Sequence, residues 1–309
     1  KLKRDGTCKA RLCVQGCTMV KGEDYDQTFA DAMRYSSARG LFALAARTGC
    51  KVRSIDWVAA YLQGKFMDGE VVYCHLPPGY EQYDSSGSLL YARVEKPIYG
   101  IPQAGRRLQR QIFPWLEAQG LRQLDDSDGC VWAHDSPSGE IFVIGIYVDN
   151  LQIVHSTQLD SNGLALDPSS FYASFLRKLK SDWEVVDEGV MSDLLGIQAR
   201  YNADGSITLH QEAYIQKVLS RFEIAVPPRM QSNTLPYSND IQAHIIDALD
   251  GSTADAPSHP ELVKPFQEKI GCLMYACRST RPDICYAVHL LCRVLSQRAL
   301  PRPQQHVRR

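Results

Sequence analysis

Long apolar runs, a large net charge and cysteine pairs at metal-binding spacing are all missing from this 309-residue sequence. Because no apolar stretch approaches the roughly 20 residues of a membrane-spanning helix, we expect no membrane partner. The formal net charge is −1, so overall charge does not predict a polyanionic partner. The first residues are charged and have no apolar core, which argues against a signal peptide. With 44% hydrophobic and 22% charged residues, the composition is typical of a globular protein.

Cysteine is plentiful, with ten residues, but its spacing does not predict a metal site. No two cysteines form a Cys-x-x-Cys pair, and no histidine follows them at the spacing of a zinc knuckle. We interpret them as reduced, mostly buried thiols of an intracellular protein.

Basic residues are concentrated locally although the chain as a whole is nearly neutral. They are Lys1, Lys3, Arg4, Lys9 and Arg11, then Arg106, Arg107 and Arg110, and finally Arg293, Arg298, Arg302, Arg308 and Arg309. Such local basic stripes favour a channel for nucleic acid. The alternative is that each cluster is an ordinary solvated helix face.

Strands and helices are predicted to mix without regular alternation, which indicates the α+β class. Predicted strands cover 10–16, 51–56, 70–80 and 88–96, three more lie within 129–156, and a hairpin covers 194–211. Predicted helices cover 36–49, 103–120, 169–183, 212–222, 261–279 and 281–297. Ser36 or Ser37 is expected to cap the first helix, and Pro114 to kink or break the second. Residues 225–260 are rich in Pro, Ser, Asn and Asp and are predicted to be a linker.

The stretch "IFVIGIYVDNLQIV" at 141–154 places Asp149 and Asn150 in a tight turn between two apolar strands. A carboxylate at such a turn is held rigidly at the surface of a sheet, which suits a Mg²⁺ ligand. The alternative is an ordinary hairpin, since Asp-Asn is good turn chemistry by itself.

A second acid, Asp56, directly follows the apolar strand at 51–55. Two carboxylates at the ends of neighbouring strands can together hold two Mg²⁺ ions about 3.5–4 Å apart. That arrangement serves in-line phosphoryl transfer, so the pair predicts a two-metal nucleotidyl transferase.

Eight stretches, in order and without large gaps between about Lys9 and Gln297, resemble the reverse transcriptase of copia-type LTR retrotransposons. They are "KARLCVQG" (9–16), "DYDQTFA" (24–30), "IDWVAAYLQG" (55–64), "EVVYCHLPPGY" (70–80), "KPIYGIPQAGR" (96–106), "IYVDN" (146–150), "LLGIQ" (194–198) and "IGCLMYACRSTRPDICYAVHLLCRVLS" (270–296). The resemblance implies a right-hand polymerase with an antiparallel palm sheet. Fingers, palm and the start of the thumb are then expected at 1–225, a linker at 226–260, and a helical connection segment at 261–309.

The resemblance also implies roles for individual residues. Asp56 and Asp149 correspond to metal-binding acids, and Tyr61 to the aromatic that excludes a 2′-hydroxyl from the nucleotide site. Gln103 corresponds to a glutamine beside the incoming nucleotide, and Lys9 and Arg11 to a basic strand that grips the triphosphate. Arg106 and Tyr147, which also lie in the matched stretches, complete the predicted substrate-binding set.

The partners and cofactor that the resemblance implies are a template–primer duplex of RNA or DNA, deoxynucleoside triphosphates and two Mg²⁺ ions, with Mn²⁺ as a substitute. Because the sequence begins without Met and stops abruptly, we expect a segment of a longer polyprotein. Ribonuclease H and integrase segments would then be further partners, in cytoplasmic virus-like particles and the nucleus.

One departure concerns the catalytic turn itself, where the family has a second Asp and this chain has Asn150. An amide oxygen ligates a metal only as a neutral dipole, so we expect weaker binding of one metal and a slower enzyme. One alternative is a non-catalytic nucleic-acid-binding remnant. Another is a different two-metal nucleotidyl transferase, such as a cyclase.

Overall fold

The structure, a computed structural model, describes Cys8 and residues 10–124, 126–224, 239–249 and 260–295. The chain divides into two compact units, Lys1–Met191 and Ser192–Arg309. The described part of the chain contains no helix that is both long and apolar enough to cross a bilayer.

The first unit is built around an antiparallel sheet of six strands. The first unit has eight strands within the described residues. In chain order they are β1 (Val52–Trp57), β2 (Val72–His75), β3 (Tyr91–Val94), β4 (Leu121–Gln123), β5 (Val131–His134), β6 (Phe142–Tyr147), β7 (Asn150–His155) and β8 (Val185–Val190). Its helices are α1 (Tyr35–Thr48), α2 (Ala104–Ala118) and α3 (Phe171–Asp182). The large sheet has the order β4-β5-β6-β7-β1-β8, and β2 and β3 form a separate pair. The predicted class of mixed helices and antiparallel strands is therefore confirmed.

Helices cover both faces of this sheet, so its central strands are buried along almost their whole length. On one face, Leu41 of α1 lies beside Gly145 of β6, where the missing side chain leaves room for it. On the other face, Tyr172 and Phe175 of α3 pack their rings against Phe142.

The helices of the first unit agree with the sequence prediction in position but differ in detail. Gly49, at φ 69°, ends α1 as predicted, but the N-cap residue is Arg34 and its side chain makes no capping hydrogen bond. Ser170 does cap α3, because its hydroxyl accepts the Ala173 amide hydrogen. Helix α2 continues through Pro114 without a break.

The predicted strand at 10–16 does not form. Only Cys13 makes a single parallel bridge, to Tyr99, and Gly16–Thr18 is a turn of 3₁₀-helix. The apolar residues here are also largely exposed, as Leu12 shows at 58%. The strand prediction for 10–16 is therefore wrong.

The second unit consists of a small antiparallel sheet and helices. Its strands are β9 (Asp193–Leu194), β10 (Ile197–Tyr201) and β11 (Ile207–His210), and its helices are α4 (Glu212–Arg221), α5 (Asn239–Leu249), α6 (Pro260–Ser279) and α7 (Cys285–Cys292). The hairpin at 194–211 and the helix at 212–222 are confirmed. The segment predicted to be a linker contains α5, whose Ile245 is buried against Leu290 and Val294, while 225–238 and 250–259 lie outside the described residues.

The cysteines are all free thiols, but the prediction that most are buried is wrong. Only Cys130 and Cys277 are buried, and Cys8, Cys13, Cys17 and Cys285 are exposed. The described residues also contain no group of three His, Cys, Asp or Glu side chains that could hold a metal ion.

Candidate active site

The two predicted metal-binding acids lie at the same end of two neighbouring strands. β1 and β7 are antiparallel, and Asp56 is directly opposite Asn150 in their register. The Trp57 amide donates a hydrogen bond of 2.9 Å to the carbonyl oxygen of Asp149. Because directly opposed residues in such a pair have Cβ atoms about 4.5–5.5 Å apart on one face, Asp56 and Asn150 present their side chains together.

The turn that carries Asp149 is shifted by one residue from the prediction. Val148 and Asp149 form it, and Asn150 is already the first residue of β7. Val148 has φ 57°, a conformation that a β-branched side chain rarely adopts and that strains the backbone. The surrounding sheet imposes this conformation, so the position of Asp149 at the tip is fixed.

Asn150 is held by two residues that the sequence prediction did not include, Ser54 and Glu188. The Asn150 amide group donates a 2.8 Å hydrogen bond to the Ser54 hydroxyl, which donates a 2.7 Å hydrogen bond to Glu188. A carboxylate can only accept, so the hydroxyl must donate to Glu188 and accept from Asn150. The amide oxygen of Asn150 is therefore turned away from Ser54, and it is buried with no hydrogen-bond partner in the described structure.

A local irregularity brings Glu188 to this position. Between Ser54 and Ile55 the register with β8 shifts, so that Ser54 pairs with Gly189 and Ile55 with Asp187. The extra residue, Glu188, lies in this bulge, and bulges commonly redirect a side chain next to a functional site. Alternation along β1 could have shown Ser54, which is two residues from Asp56, but nothing in the sequence indicates the bulge.

Tyr61 lies close to the same turn, in the 3₁₀-helix Ala60–Gln63. Burial, followed by the charge of the nearby Asp149, raises the pKa of Tyr61, so its phenol stays protonated at neutral pH. The Tyr61 ring centroid is 5.0 Å from that of Tyr99, and the Arg11 guanidinium lies 4.2 Å from the Tyr99 centroid. The structure therefore connects Arg11 to the acids through two aromatic rings, of which the sequence prediction included only Tyr61.

Two glycines allow the segment that carries Arg11 to approach Tyr99. The Val14 amide donates a 3.0 Å hydrogen bond to the Tyr99 carbonyl oxygen. A Cβ atom on Gly16 would overlap the Gly100 carbonyl oxygen, and one on Gly100 would overlap the Val14 carbonyl oxygen. The main chains thus meet at a distance that only glycine permits.

Gln103 is placed differently from the prediction. It is 0% exposed, and its amide group donates a 3.0 Å hydrogen bond to Glu70, which is also paired with Arg107 at 2.7 Å. Burial acts to raise the pKa of Glu70, but the hydrogen bonds from Arg107, Met67 and Gln103 prevail and lower it. This placement does not support direct contact between Gln103 and a nucleotide, because its side chain is enclosed in a network that fixes the start of α2.

The remaining predicted residues vary in placement. Tyr147 is paired with Asn150 across the hairpin and is half-buried, with its ring centroid 6.5 Å from that of Tyr35. Arg106 is half-buried on α2 and donates to the Gln109 side chain at 3.4 Å. Lys9 lies outside the described residues. A cavity of about 190 Å³ lies between Tyr61, Val148 and α2.

The oxygen donors at this end of the sheet fit a Mg²⁺ ion chemically. Asp56 and Asp149 provide carboxylates, and the buried Asn150 amide oxygen, which lacks a partner in the described structure, is a further hard donor. Magnesium in nucleotide-processing sites is commonly held by one or two carboxylates together with substrate phosphates. A group of three acidic side chains is therefore not required.

The sequence matches that of a known family over most of its length. Residues 1–234 match the family described as reverse transcriptase (RNA-dependent DNA polymerase). The chain is 28% identical over 306 residues to a protein of Nicotiana tabacum named retrovirus-related Pol polyprotein from transposon TNT 1-94, covering 96% of this chain and 21% of that protein. It is 25% identical over 283 residues to the retrovirus-related Pol polyprotein from transposon RE1 of Arabidopsis thaliana, covering 92% and 17%.

The chain is also similar to a transposon protein of yeast. The chain is 25% identical over 233 residues to a protein of Saccharomyces cerevisiae named putative transposon Ty5-1 protein YCL074W, covering 74% of this chain and 65% of that protein. The chain thus spans only about a fifth of the length of the two plant polyproteins. Since the family match covers 1–234, the chain belongs to the reverse transcriptase (RNA-dependent DNA polymerase) family.

Proposed function

We propose that this chain is an RNA-directed DNA polymerase that extends a primer on an RNA or DNA template. In the reaction, the primer 3′-hydroxyl oxygen bonds to the α-phosphorus of a deoxynucleoside triphosphate. The bond from that phosphorus to the leaving pyrophosphate breaks, and the hydroxyl proton passes to solvent water. The observation that carries the proposal is the pairing of Asp56 with Asn150, next to Asp149, on a rigid sheet.

Asp56 and Asp149 would hold Mg²⁺, with the Asn150 amide oxygen as a neutral third donor. When bound, Mg²⁺ lowers the pKa of the attacking hydroxyl and neutralises charge on the leaving group. The contribution of the protein is to keep these oxygens in place before substrate binds. The strained turn at Val148 and the hydrogen bonds from Asn150 through Ser54 to Glu188 support that role.

The nucleotide would lie against Tyr61 and Arg11. The Tyr61 ring packs on Tyr99, and a ring in that position would clash with a 2′-hydroxyl, which favours deoxynucleotides. The Arg11 guanidinium is exposed and can donate to phosphate oxygens while it stays on the Tyr99 ring. Arg106 and Tyr147 complete the proposed substrate contacts.

The six-stranded sheet corresponds, in this proposal, to the palm of a right-hand polymerase. Fingers would be formed by the segments that carry Arg11 and Tyr99, and the start of the thumb by the second unit. The plant relatives are named Pol polyproteins, so we further propose that ribonuclease H and integrase segments accompany this chain.

Primer extension tests the proposal. The purified chain should extend oligo(dT) on poly(rA) with dTTP, in Mg²⁺ and in Mn²⁺, and Asp149→Ala should abolish the product. Glu95→Gln is the matched control, since Glu95 is an exposed acid whose ion pair in the described structure is with the exposed Arg93. Product that persists in Asp149→Ala would show that the proposed site is not the active site.

A second candidate function is a nucleic-acid-binding remnant without catalysis, which Asn150 favours because the site has one acid fewer than the family pattern. Duplex binding by the folded wild-type chain, without extension in either metal ion, would support that candidate and contradict the polymerase proposal.

A further inference from the structure

A pocket of about 390 Å³ lies within the second unit, and the proposed polymerase chemistry does not use it. It lies between the β10–β11 hairpin, the start of α4 and the residues that follow α6. Its polar lining includes Arg200, Thr208, His210, Gln211, Thr280 and Arg281.

Three of these residues are basic, and two of them lie on the same face of the hairpin. Arg200 pairs with Thr208, and Gln198 with His210, so Arg200 and His210 are on one side of this two-stranded ribbon. Arg281 enters from the other wall, where hydrogen bonds of 2.8 Å from Nε and 2.7 Å from Nη2 to Asp283 hold its guanidinium. The orientation of this cation is therefore set before any ligand binds.

A buried donor in the same pocket has no partner among the described residues. Gln211 is 1% exposed, and its amide oxygen accepts a 2.8 Å hydrogen bond from the Thr280 hydroxyl. Its amide nitrogen Nε2 is buried and makes no hydrogen bond in the described structure. An unsatisfied buried donor of this kind is unfavourable, and a ligand acceptor would satisfy it.

The pocket also contains the N-terminus of α4, a helix of ten residues. Gln211 is its N-cap residue, and the Gln211 side chain itself makes no capping hydrogen bond. The Ala213 amide donates to the Gln198 side chain at 3.1 Å, while the positive end of the helix dipole remains directed at the pocket. Glu212 also lines the pocket, but it is exposed. Asp283 offsets the charge of Arg281 but does not line the pocket, so Arg200 is the lining cation that carries the attraction.

We propose that this pocket binds a phosphate group, and specifically a phosphodiester of the nucleic-acid strand on which the polymerase acts. The identity of the strand rests on the proposed function, whereas the phosphate chemistry rests on the pocket alone. Guanidinium groups, hydroxyls, a buried amide donor and a helix N-terminus are the donors that phosphate oxygens take in proteins. Such a contact positions the strand without reading its sequence.

The test measures the affinity of the full chain for an RNA–DNA hybrid by fluorescence anisotropy over a range of NaCl concentrations. Arg200→Gln should raise the Kd about tenfold, because it loses a charge-assisted contact. Arg281→Lys should also raise the Kd about tenfold, because lysine keeps the charge but lacks the planar guanidinium group. Arg200→Gln should also reduce the slope of log Kd against log[NaCl] by about 1. Arg93→Gln is the control, because it removes an exposed arginine of the first unit and should change the Kd less than about twofold.

Two further measurements distinguish failure of the proposed pocket from failure of the proposed polymerase function. Asp149→Ala should abolish extension yet keep the wild-type Kd, so loss of catalysis cannot be mistaken for loss of the pocket. Calorimetry with inorganic phosphate and pyrophosphate tests free anions. If Arg200→Gln abolishes phosphate binding but leaves the duplex Kd unchanged, the pocket takes a free anion and the strand contact is wrong. If folded Arg200→Gln and Arg281→Lys change neither measurement, the phosphate site itself is wrong.

Discussion

At the scale of single residues, Asn150 is explained by the groups around it. Ser54 gives its only proton to Glu188, so the residue at 150 must donate to Ser54. An amide can do so and a carboxylate cannot. Asparagine is therefore the residue that the bulged strand β8 accommodates, even though an acid would hold a metal ion more strongly.

This coupling between Asn150 and Glu188 predicts the outcome of a double substitution. Asn150→Asp alone adds a metal ligand but places two carboxylates on one serine hydroxyl, so the gain in extension rate should be small. Glu188→Gln frees the Ser54 proton for the carboxylate introduced at position 150, so the double variant should exceed the product of the two single effects. A coupling of about 1 kcal/mol or more, or about fivefold in rate, is expected.

Rates of primer extension for the wild type, both single variants and the double variant complete the cycle, and Mn²⁺ affinity measured by titration gives a readout apart from turnover. Strict additivity in both measurements would remove the role assigned to Ser54 and Glu188.

A residue of the candidate site can be predicted from the sequence when its position follows from neighbouring residues, but not when it depends on contacts with distant parts of the chain. Asp56 and Asn150 were predictable because each lies at the end of an apolar strand that is visible in the sequence. Glu188 was not, because its position depends on a register shift between strands far apart in the chain. The burial of Gln103 depends in the same way on a distant partner, Glu70.

At the scale of elements, the contact between the Arg11 segment and Tyr99 depends on glycine. Gly100→Ala should destabilise the protein by more than about 2 kcal/mol, since φ 95° is strained for alanine and its Cβ would overlap the Val14 carbonyl oxygen. Gly139→Ala is the matched control, because Gly139 has φ 76° with open space around it. It should cost only the conformational penalty of about 1 kcal/mol.

Urea unfolding measures both free energies of unfolding, and equal losses for the two variants would show that the close approach of the main chains does not contribute to stability.

The same contact explains why the strand prediction at 10–16 is wrong. A strand was predicted there, but the segment is held by one bridge and two glycines, and no strand ladder forms beside it within the described residues. Helices, whose periodic pattern is local, were mostly predicted near their observed positions, although α5 was missed and α7 is shorter than the predicted helix at 281–297.

At the scale of the whole molecule, the overall composition and net charge predicted little about binding sites, and the distribution of charge along the chain predicted more. A net charge of −1 conceals the basic lining of the pocket in the second unit. It also conceals Arg53, which is 8% exposed in the first unit and paired with Asp187 at 2.9 Å. Buried charges of this kind couple the stability of a fold to pH through the groups that lie near them.

His155 shows this coupling. It is 6% exposed, and its ring is stacked on Tyr172 with the centroids 3.7 Å apart. Burial, followed by the nearby Arg53 charge, lowers the pKa of His155 to about 4. In the unfolded chain a histidine has a pKa of about 6.5, so below that pH the unfolded state binds a proton that the folded state excludes.

The free energy of unfolding should therefore fall as the pH is lowered from about 6.5 to about 4, with a slope from this residue of at most about 1.4 kcal/mol per pH unit. His155→Phe keeps an aromatic ring against Tyr172 but cannot be protonated, so it should flatten the pH dependence in that range. Urea unfolding at half-unit steps between pH 4 and pH 7 measures both slopes. If the variant retains the slope of the wild type, the titrating group is another one, and burial of His155 does not set the acid sensitivity of this unit.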